Sequence, residues 1–572
     1  MHMSDDDDMK PTPESRSAGA KAMDALATHL SRLSPATTDY TVARHVRIPM
    51  RDGVGLAADL YQPTSDVVGT ILVRGPYGRS LALAMSQVRI FAARGYNAVF
   101  VSSRGTFGSG GEFRPMETEV DDGLDVVAWM RDQPWFTGTF ATVGGSYLGH
   151  TQWALMTDPP PELAAAIVSI GPHDFHQHVW GTGAFRLDFL GWSYGIVHQE
   201  DGGGLAGALR TITTGRRIGP HMDTLPLTQA ASTVLGGRAP WYADWVTRPE
   251  ATDPFWAPMQ HAAALERVAV PVLLIGGWQD LFLEQTVHQY ERLRARGVEV
   301  AMTIGDWSHL AVGAGGLRAT SQQTLGWLDE HLAHRATGRG RTSPVRIFVS
   351  GSGSGSGRAG WRDLPDWPPK TSEHALFLQA DRSLSEDAPT TTRPASTFTF
   401  DPAHPTPTVG GPLLAFRCSV DDSKLAERRD VLTFTGPVLT SDLDVIGAPV
   451  IRLAHTSDNP HADLFVRISE IDRKGRSHNI TEGYVRLDPD RPADGDAGAV
   501  TLKLRPTAHR FRAGTRVRVY VAGGCHPQFS RNLGTGENPG TGVTMRPARH
   551  TVGHHPDACS SLLLPVAVAL EP

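Results

Sequence analysis

The stretch from Phe140 to Met156 constrains this chain more than any other, and its centre is Val143-Gly144-Gly145-Ser146-Tyr147-Leu148-Gly149. A short apolar run suited to a buried strand stops at two glycines, presents a serine, and turns at once into a segment with an apolar helical face. Such a turn pinches the serine backbone between strand and helix, where a Cβ on either side would clash, so glycine is needed beside it. The hydroxyl is then expected at the carboxyl edge of a sheet, with a helix N-terminus behind it that favours developing negative charge. The spacing departs from the usual Gly-x-Ser-x-Gly, because Leu148 fills the last glycine position and Gly149 follows one residue later. Read alone, Gly-Gly-Ser is as well a loop ahead of a helix; the rest of the chain decides.

On both sides of this turn, strand and helix alternate. Thr41–Pro49 and Leu56–Tyr61 read as strands joined by a hairpin turn at Arg51-Asp52-Gly53-Val54. Thr70–Val73 and Ala98–Val101 read as buried strands, and the helix between them, from Leu83 to Arg94, closes at Gly95. A helix over Thr118–Arg131 precedes the turn, and Ala164–Ile170 is a further strand after it. The alternation predicts a mostly parallel sheet covered on both faces. Regularity is lost over 173–261, a region rich in Gly, Trp and Phe with helical patches. It returns with a Val268–Ile275 strand, a Thr286–Arg296 helix, a Val298–Ile304 strand and a Ser321–His334 helix. An excursion of that size between two halves of one sheet predicts an inserted helical cap, and caps commonly wall a pocket.

From Glu373 onward, short alternating runs separated by Pro, Gly and Asp turns predict an all-β sandwich. The expected organisation is a tail and helix over 1–39, an α/β domain over 40–172 and 262–370, a cap over 173–261, and a β-sandwich over 371–572. Ala18–Leu33 carries apolar residues at helical spacing (Met23, Leu26, Ala27, Leu30, Leu33) and is expected as a docking helix or a tail. The Ser-Gly alternation over Ser350–Gly357 reads as a flexible linker.

Composition narrows the partners. A formal charge of −6 without a basic block argues against nucleic acid, and no apolar run is long enough to span a bilayer. The start of the chain, dominated by Asp5 to Asp8, lacks a signal-peptide pattern, so a cytoplasmic protein is expected. Cys418, Cys525 and Cys559 show no metal-ligand spacing and read as reduced thiols, with a Cys525–Cys559 pair left open. Neither a metal nor a cofactor is expected, and His554-His555 reads as a surface turn.

A serine nucleophile needs a base, and the base needs an orienting acid. On a sheet of this kind they follow in the order Ser, Asp, His, each on a loop after a strand. Asp280 comes shortly after the Val268–Ile275 strand, and His309 after the Val298–Ile304 strand. Asp306 is a rival acid, but its place in one turn with His309 favours a structural role. The oxyanion of an acyl-transfer transition state needs donors. One is expected from the backbone N–H of Tyr147; Pro76 has no N–H to give, so the Tyr77 hydroxyl is the expected second.

Together these segments resemble the cocaine esterase / X-Pro dipeptidyl-peptidase-like family (CocE/NonD serine hydrolases). The resemblance is carried by Arg51-Asp52-Gly53, Gly75-Pro76-Tyr77, Arg104-Gly105 with Ser109-Gly110-Gly111-Glu112, the Gly144–Gly149 turn, Gly277-Trp278-Gln279-Asp280 and Trp307-Ser308-His309. It continues through Trp361-Arg362, Trp367-Pro368-Pro369 and Phe529-Ser530-Arg531-Asn532. It implies an α/β-hydrolase fold with a helical cap and a C-terminal jelly roll, a Ser146–Asp280–His309 triad, Tyr77 and Tyr147 as oxyanion donors, and Phe282 in the acyl pocket. Ser102-Ser103 departs from it, since relatives usually carry an aspartate there. The expected substrate is a small-molecule ester or amide, and the oligomeric state, with a homodimer among the options, is left open by the sequence. X-Pro dipeptidyl-peptidase, α-amino-acid ester hydrolase and β-lactam acylase activities are the alternatives, and they need a pocket carboxylate for a substrate ammonium. Asp174, Asp188, Glu200 and Asp201 are candidates in the cap. A binding module with a vestigial hydrolase half is the alternative of another class.

Overall fold

A computed structural model describes residues 12–79, 88–202, 215, 217–335, 341–351, 360–487 and 499–568. The acidic N-terminal run, the start of the Leu83–Arg94 helix and Ser352–Gly357 of the Ser-Gly stretch lie outside the described residues.

The N-terminal half is one mixed sheet. Its strands lie in the order Tyr40–Pro49, Gly55–Pro63, Tyr96–Ser102, Gly69–Gly75, Phe140–Gly145, Leu163–Ser169, Val272–Gln279, Val300–Ser308 and Val345–Gly351. Every neighbouring pair from Tyr96–Ser102 onward is parallel, while the first two strands are antiparallel additions. The strands are apolar on both faces because helices cover both: Glu119–Arg131, Tyr147–Leu155, Leu283–Ala295 and Leu317–His331. Ser350 and Gly351, expected in a linker, end the last parallel strand.

Two strand boundaries differ from the sequence expectation for a backbone reason. Val268-Ala269-Val270 stays outside the sheet, because the Val268 N–H closes the preceding helix on Ala264 and Pro271 has none to give. The next strand runs on to Ser308, since Gly277 pairs with Gly305 and Gln279 with Ser308.

The helices Phe175–Trp180, Phe189–Val197, Leu227–Leu235 and Trp241–Thr247 cover the carboxyl ends of the strands. Phe175, Phe189, Trp245 and Trp256 pack edge-on and tilted in their core. The two ends of this excursion meet, the His261 N–H donating to the His173 carbonyl (2.7 Å).

Beyond Thr371 the chain is β-rich. The sheet of Val431–Thr435, Arg516–Ala522, Ala462–Ile471 and Ser477–Leu487 faces a second built around Thr371–Leu378, Leu443–Gly447, Val450–Ser457 and Ser561–Ala567. Leu376, Ile451, Leu464, Val466, Val519 and Leu562 fill the space between them. The molecule is thus an α/β-hydrolase fold with a cap and a C-terminal β-sandwich.

Three side-chain expectations change. The helix Ala18–Leu30 turns Met23, Leu26 and Leu30 outward, more than half exposed; Ala27 and the following Leu33 pack on the core, and Asp24 ties the helix down by bonding Arg16, Tyr40 and Arg89. His554 is not in a surface turn: it is buried on a short strand, bonded to Ser396 and the Leu378 carbonyl. All three cysteines are free thiols, which removes the Cys525–Cys559 pair.

Candidate active site

Ser146 sits at the end of the Phe140–Gly145 strand with φ +58° and ψ −123°, and the helix begins at Tyr147. A side chain in that conformation costs about 1–3 kcal/mol, so the surroundings must hold it there. The Ser146 N–H donates to the Ser169 carbonyl (2.9 Å), and the Ser146 carbonyl accepts from His150 (3.0 Å) and Gly149 (2.8 Å). The glycines explain the unusual spacing. A Cβ on Gly144 would lie 2.5 Å from Leu148 Cβ, and one on Gly75 would lie 2.5 Å from Leu148 Cδ1. Leu148 therefore tucks into a slot that two glycines open. The close approach of helix to sheet comes one residue later, where a Cβ on Gly149 would lie 2.6 Å from Gly171 Cα.

Asp280 and His309 each stand one residue past a strand end, on neighbouring parallel strands. His309 Nδ1–H donates to Asp280 Oδ1 (2.6 Å), and the Ser146 hydroxyl donates to His309 Nε2 (2.9 Å). An ionised carboxylate only accepts, so it holds the imidazole in the tautomer whose Nε2 can take a proton. Asp280 is fully buried, and its second oxygen accepts from the Phe282 N–H (2.9 Å). Asp306 is exposed and gives His309 no hydrogen bond, so the rival acid lies apart from this constellation.

The Tyr77 hydroxyl reaches Ser146 and accepts a hydrogen bond from Trp192 Nε1–H (3.2 Å). Burial pushes the phenol pKa up, against the pull of those two bonds, so Tyr77 keeps its proton to donate. Tyr147 opens its helix, which leaves its N–H without a partner inside the helix. Its side chain is locked: the hydroxyl donates to Glu119 Oε1 (3.0 Å) and accepts from the Met116 N–H (2.6 Å), and the ring stacks on Trp192. Glu119 is held in turn by Arg74 (2.6 Å) and by Ser103 (2.9 Å). Ser102, in the segment where relatives carry an aspartate, accepts from Arg79 (2.5 Å), whose carboxylate partner here is Asp59 (3.0 Å). Trp192 and Glu119 carry no motif, and nothing in the sequence singles them out.

Tyr77, Tyr147, Phe189, Trp192, Phe282 and Leu414 line a narrow, largely apolar cavity at Ser146. The Phe282 ring lies edge-on to His309, with centroids 5.5 Å apart. Asp188 is the acidic residue on its wall, and Arg186 occupies that carboxylate through Nη2 (2.8 Å) and Nε (3.3 Å). The other three candidate carboxylates are engaged elsewhere. Asp174 caps a helix at Gln177, Glu200 accepts from the Phe107 N–H, and Asp201 pairs with Arg238. Among the described residues no group of three His, Cys, Asp or Glu is placed to hold a metal ion. No helix among them is long and apolar enough to cross a membrane.

Two family models match this chain. Residues 52–311 match the X-Pro dipeptidyl-peptidase (S15 family) model, and 337–563 match the X-Pro dipeptidyl-peptidase C-terminal non-catalytic domain. The chain is 29% identical over 542 residues to cocaine esterase of Rhodococcus sp. (strain MB1 Bresler), covering 87% of this chain and 93% of that protein. Among solved structures, an α-amino acid ester hydrolase superposes with a TM-score of 0.76 at 22% identity, covering 93% of this chain and 97% of the other. An aminopeptidase from a marine sediment Thaumarchaeota archaeon superposes with a TM-score of 0.75 at 22% identity, covering 94% and 98%. These two likenesses speak for the fold. By the two family models, which together run from 52 to 563, and the likeness to cocaine esterase along most of both chains, the chain belongs to the cocaine esterase / X-Pro dipeptidyl-peptidase-like family of serine hydrolases.

Proposed function

We propose that this protein is a carboxylesterase that forms an acyl-enzyme on Ser146 and accepts esters with a neutral, apolar acyl group. His309 is the general base that takes the Ser146 proton and returns it to the leaving alcohol; Asp280 orients the imidazole and stabilises the imidazolium. The Tyr77 hydroxyl and the Tyr147 N–H receive the charge that builds on the carbonyl oxygen. Trp192 adds to this by donating into the Tyr77 oxygen, which strengthens the bond Tyr77 gives onward. Water then attacks the ester of Ser146, with His309 again as base.

The observation that carries the choice of ester over amino-terminal peptide is the cavity wall. Its rings and Leu414 suit an apolar acyl group, and its carboxylate, Asp188, is already paired with Arg186. A substrate ammonium entering there would be desolvated without a free counter-charge, which costs several kcal/mol. The test compares kcat/KM for p-nitrophenyl esters of graded acyl length with that for Gly-Pro-p-nitroanilide and α-amino-acid esters. The esters are expected to lead by about 100-fold or more, the equivalent of ~2.7 kcal/mol. Preference for an ammonium-bearing substrate would overturn the reading.

A further inference from the structure

The C-terminal half matches a domain described as non-catalytic, yet its residues grip the loops that carry the acid and the base. The loop from Gln279 to the helix at Leu283 contains only Asp280, Leu281 and Phe282. Arg505, from the β-sandwich, reaches across 225 positions of sequence and donates through Nη2 to the main-chain carbonyl of Asp280. Its Nη1 donates to Glu284 Oε2 (2.6 Å), on the first turn of the following helix. Next to the acid, Gln279 Nε2 donates to the Ile480 carbonyl of the sandwich (2.9 Å). Next to the base, Ser308 Oγ donates to the Phe416 carbonyl (3.1 Å).

Arg505 is itself anchored and buried. Its N–H donates to the Glu482 carbonyl (3.0 Å) and its carbonyl accepts from Thr481 Oγ1 (2.7 Å), so its backbone is tied to the Ser477–Leu487 strand. The Asp280 peptide is consequently held at both ends, its N–H on the Gly277 carbonyl (2.9 Å) and its carbonyl on Arg505. With both groups fixed, the direction of the Asp280 side chain is fixed, and with it the imidazole that the carboxylate orients. A planar guanidinium suits this task because its fork serves the carbonyl and Glu284 together, which one ammonium cannot do at both places.

We propose that Arg505 is a positioning residue for catalysis, through which the β-sandwich sets the Asp280–His309 pair. The inference rests on the acyl-enzyme reading above and adds to it a part of the chain that the reading leaves out. Arg505 is expected to act in the chemical step: it bonds the Asp280 main chain and does not line the cavity at Ser146, lining instead a neighbouring interdomain cavity of about 230 Å³ with Arg186, Glu284 and Glu482 that shares Leu281 and Phe282 with it.

That cavity also supplies the test, since removing the side chain leaves room for a free guanidinium ion. In the full-length protein, Arg505→Ala is expected to lower kcat for a p-nitrophenyl ester by about 10–100-fold with KM changed by less than about twofold, the cost of a misplaced catalytic pair. Millimolar guanidinium chloride, far below denaturing strength, is expected to restore part of the lost kcat and to leave the wild type unaffected. An unchanged kcat, or a loss that guanidinium does not relieve, would overturn the proposal. Should Arg505→Ala not fold, Arg505→Lys carries the test: intermediate kcat at wild-type KM supports the proposal, and wild-type kcat overturns it. Failure of the acyl-enzyme reading is separate, because Ser146→Ala would then keep its activity.

Discussion

Ser146 is fixed by its own surroundings, whereas Asp280 and His309 stand on loops whose outer sides are bonded to a different domain. The serine's backbone is held within the hydrolase half by the slots at Gly75 and Gly144, the contact of Gly149 with Gly171, and the bond to Ser169. The acid and base are steadied by Arg505 and by the carbonyls of Ile480 and Phe416, all from the β-rich half. The nucleophile needs a strained backbone, which only immediate packing can enforce. The acid needs only a direction, which a distant side chain can set.

Substitutions can separate these two kinds of support. The largest effect is expected at the serine: Ser146→Ala should leave a folded protein with turnover lowered by ~10⁴ or more, since the covalent route is gone. Asp280→Asn should cost ~10⁴ through the wrong imidazole tautomer, while Asp306→Asn should stay within about twofold. The opposite ranking of the two aspartates would reassign the acid. Tyr77→Phe removes one oxygen from the oxyanion site and should lower kcat by ~10²–10³ with KM little changed. A loss under about tenfold would make Tyr77 a packing residue between Trp192 and Tyr147.

A stability measurement probes the local support alone. Gly149→Ala gains about 1 kcal/mol of helix propensity, but its Cβ would meet Gly171 Cα at 2.6 Å, and backbone on both sides leaves little room to give. A net loss of about 1–3 kcal/mol is expected in urea unfolding of the hydrolase half, while an equivalent change in the β-rich half should not shift that transition. A neutral or stabilising Gly149→Ala would show that the turn is not set by this contact.

A pH series probes the buried histidines of the two halves. Burial, with neighbouring histidines adding, holds His150 well below its ordinary value and His173 down to about 3; burial alone brings His261 to about 4. In the sandwich, His455 and His550 are brought down to about 4 and about 3 by burial. Each is neutral when folded and takes a proton when unfolded, starting near pH 6.5. Their stabilisation is therefore complete above about pH 6.5 and is lost as the pH falls toward 4, by up to ~1.4 kcal/mol per unit for each. Urea midpoints of both halves should fall between pH 7 and pH 5, and His261→Gln should flatten the slope of the hydrolase half only. Flat midpoints over that range would contradict the buried neutral state.

The same contrast explains what was legible in the chain. The serine turn was readable because its requirements are local: glycines where backbones touch, an apolar run before and a helix after. The order of Ser146, Asp280 and His309 was readable for the same reason, each following its own strand. The Leu148 shift could be noticed but not explained, since the slot at Gly75 lies 73 positions away. Arg505 was invisible, because an arginine between two short strands has no local signature for a partner 225 positions upstream. The N-terminal helix was legible only in part: Ala27 and Leu33 of its apolar spacing pack on the core, while Met23, Leu26 and Leu30 face outward and the buried Asp24 ties the helix to the remote Tyr40 and Arg89. Periodicity reports apolar faces and is blind to paired charges.

The acyl group is expected on Ser146, and a covalent probe reads that residue out. A fluorophosphonate reacts with a serine activated by its own base, so the protein should take up one probe equivalent, found by peptide mass spectrometry on Ser146. Labelling should vanish in Ser146→Ala and slow in Asp280→Asn. A probe found on another serine, or full labelling of Ser146→Ala, would contradict the account.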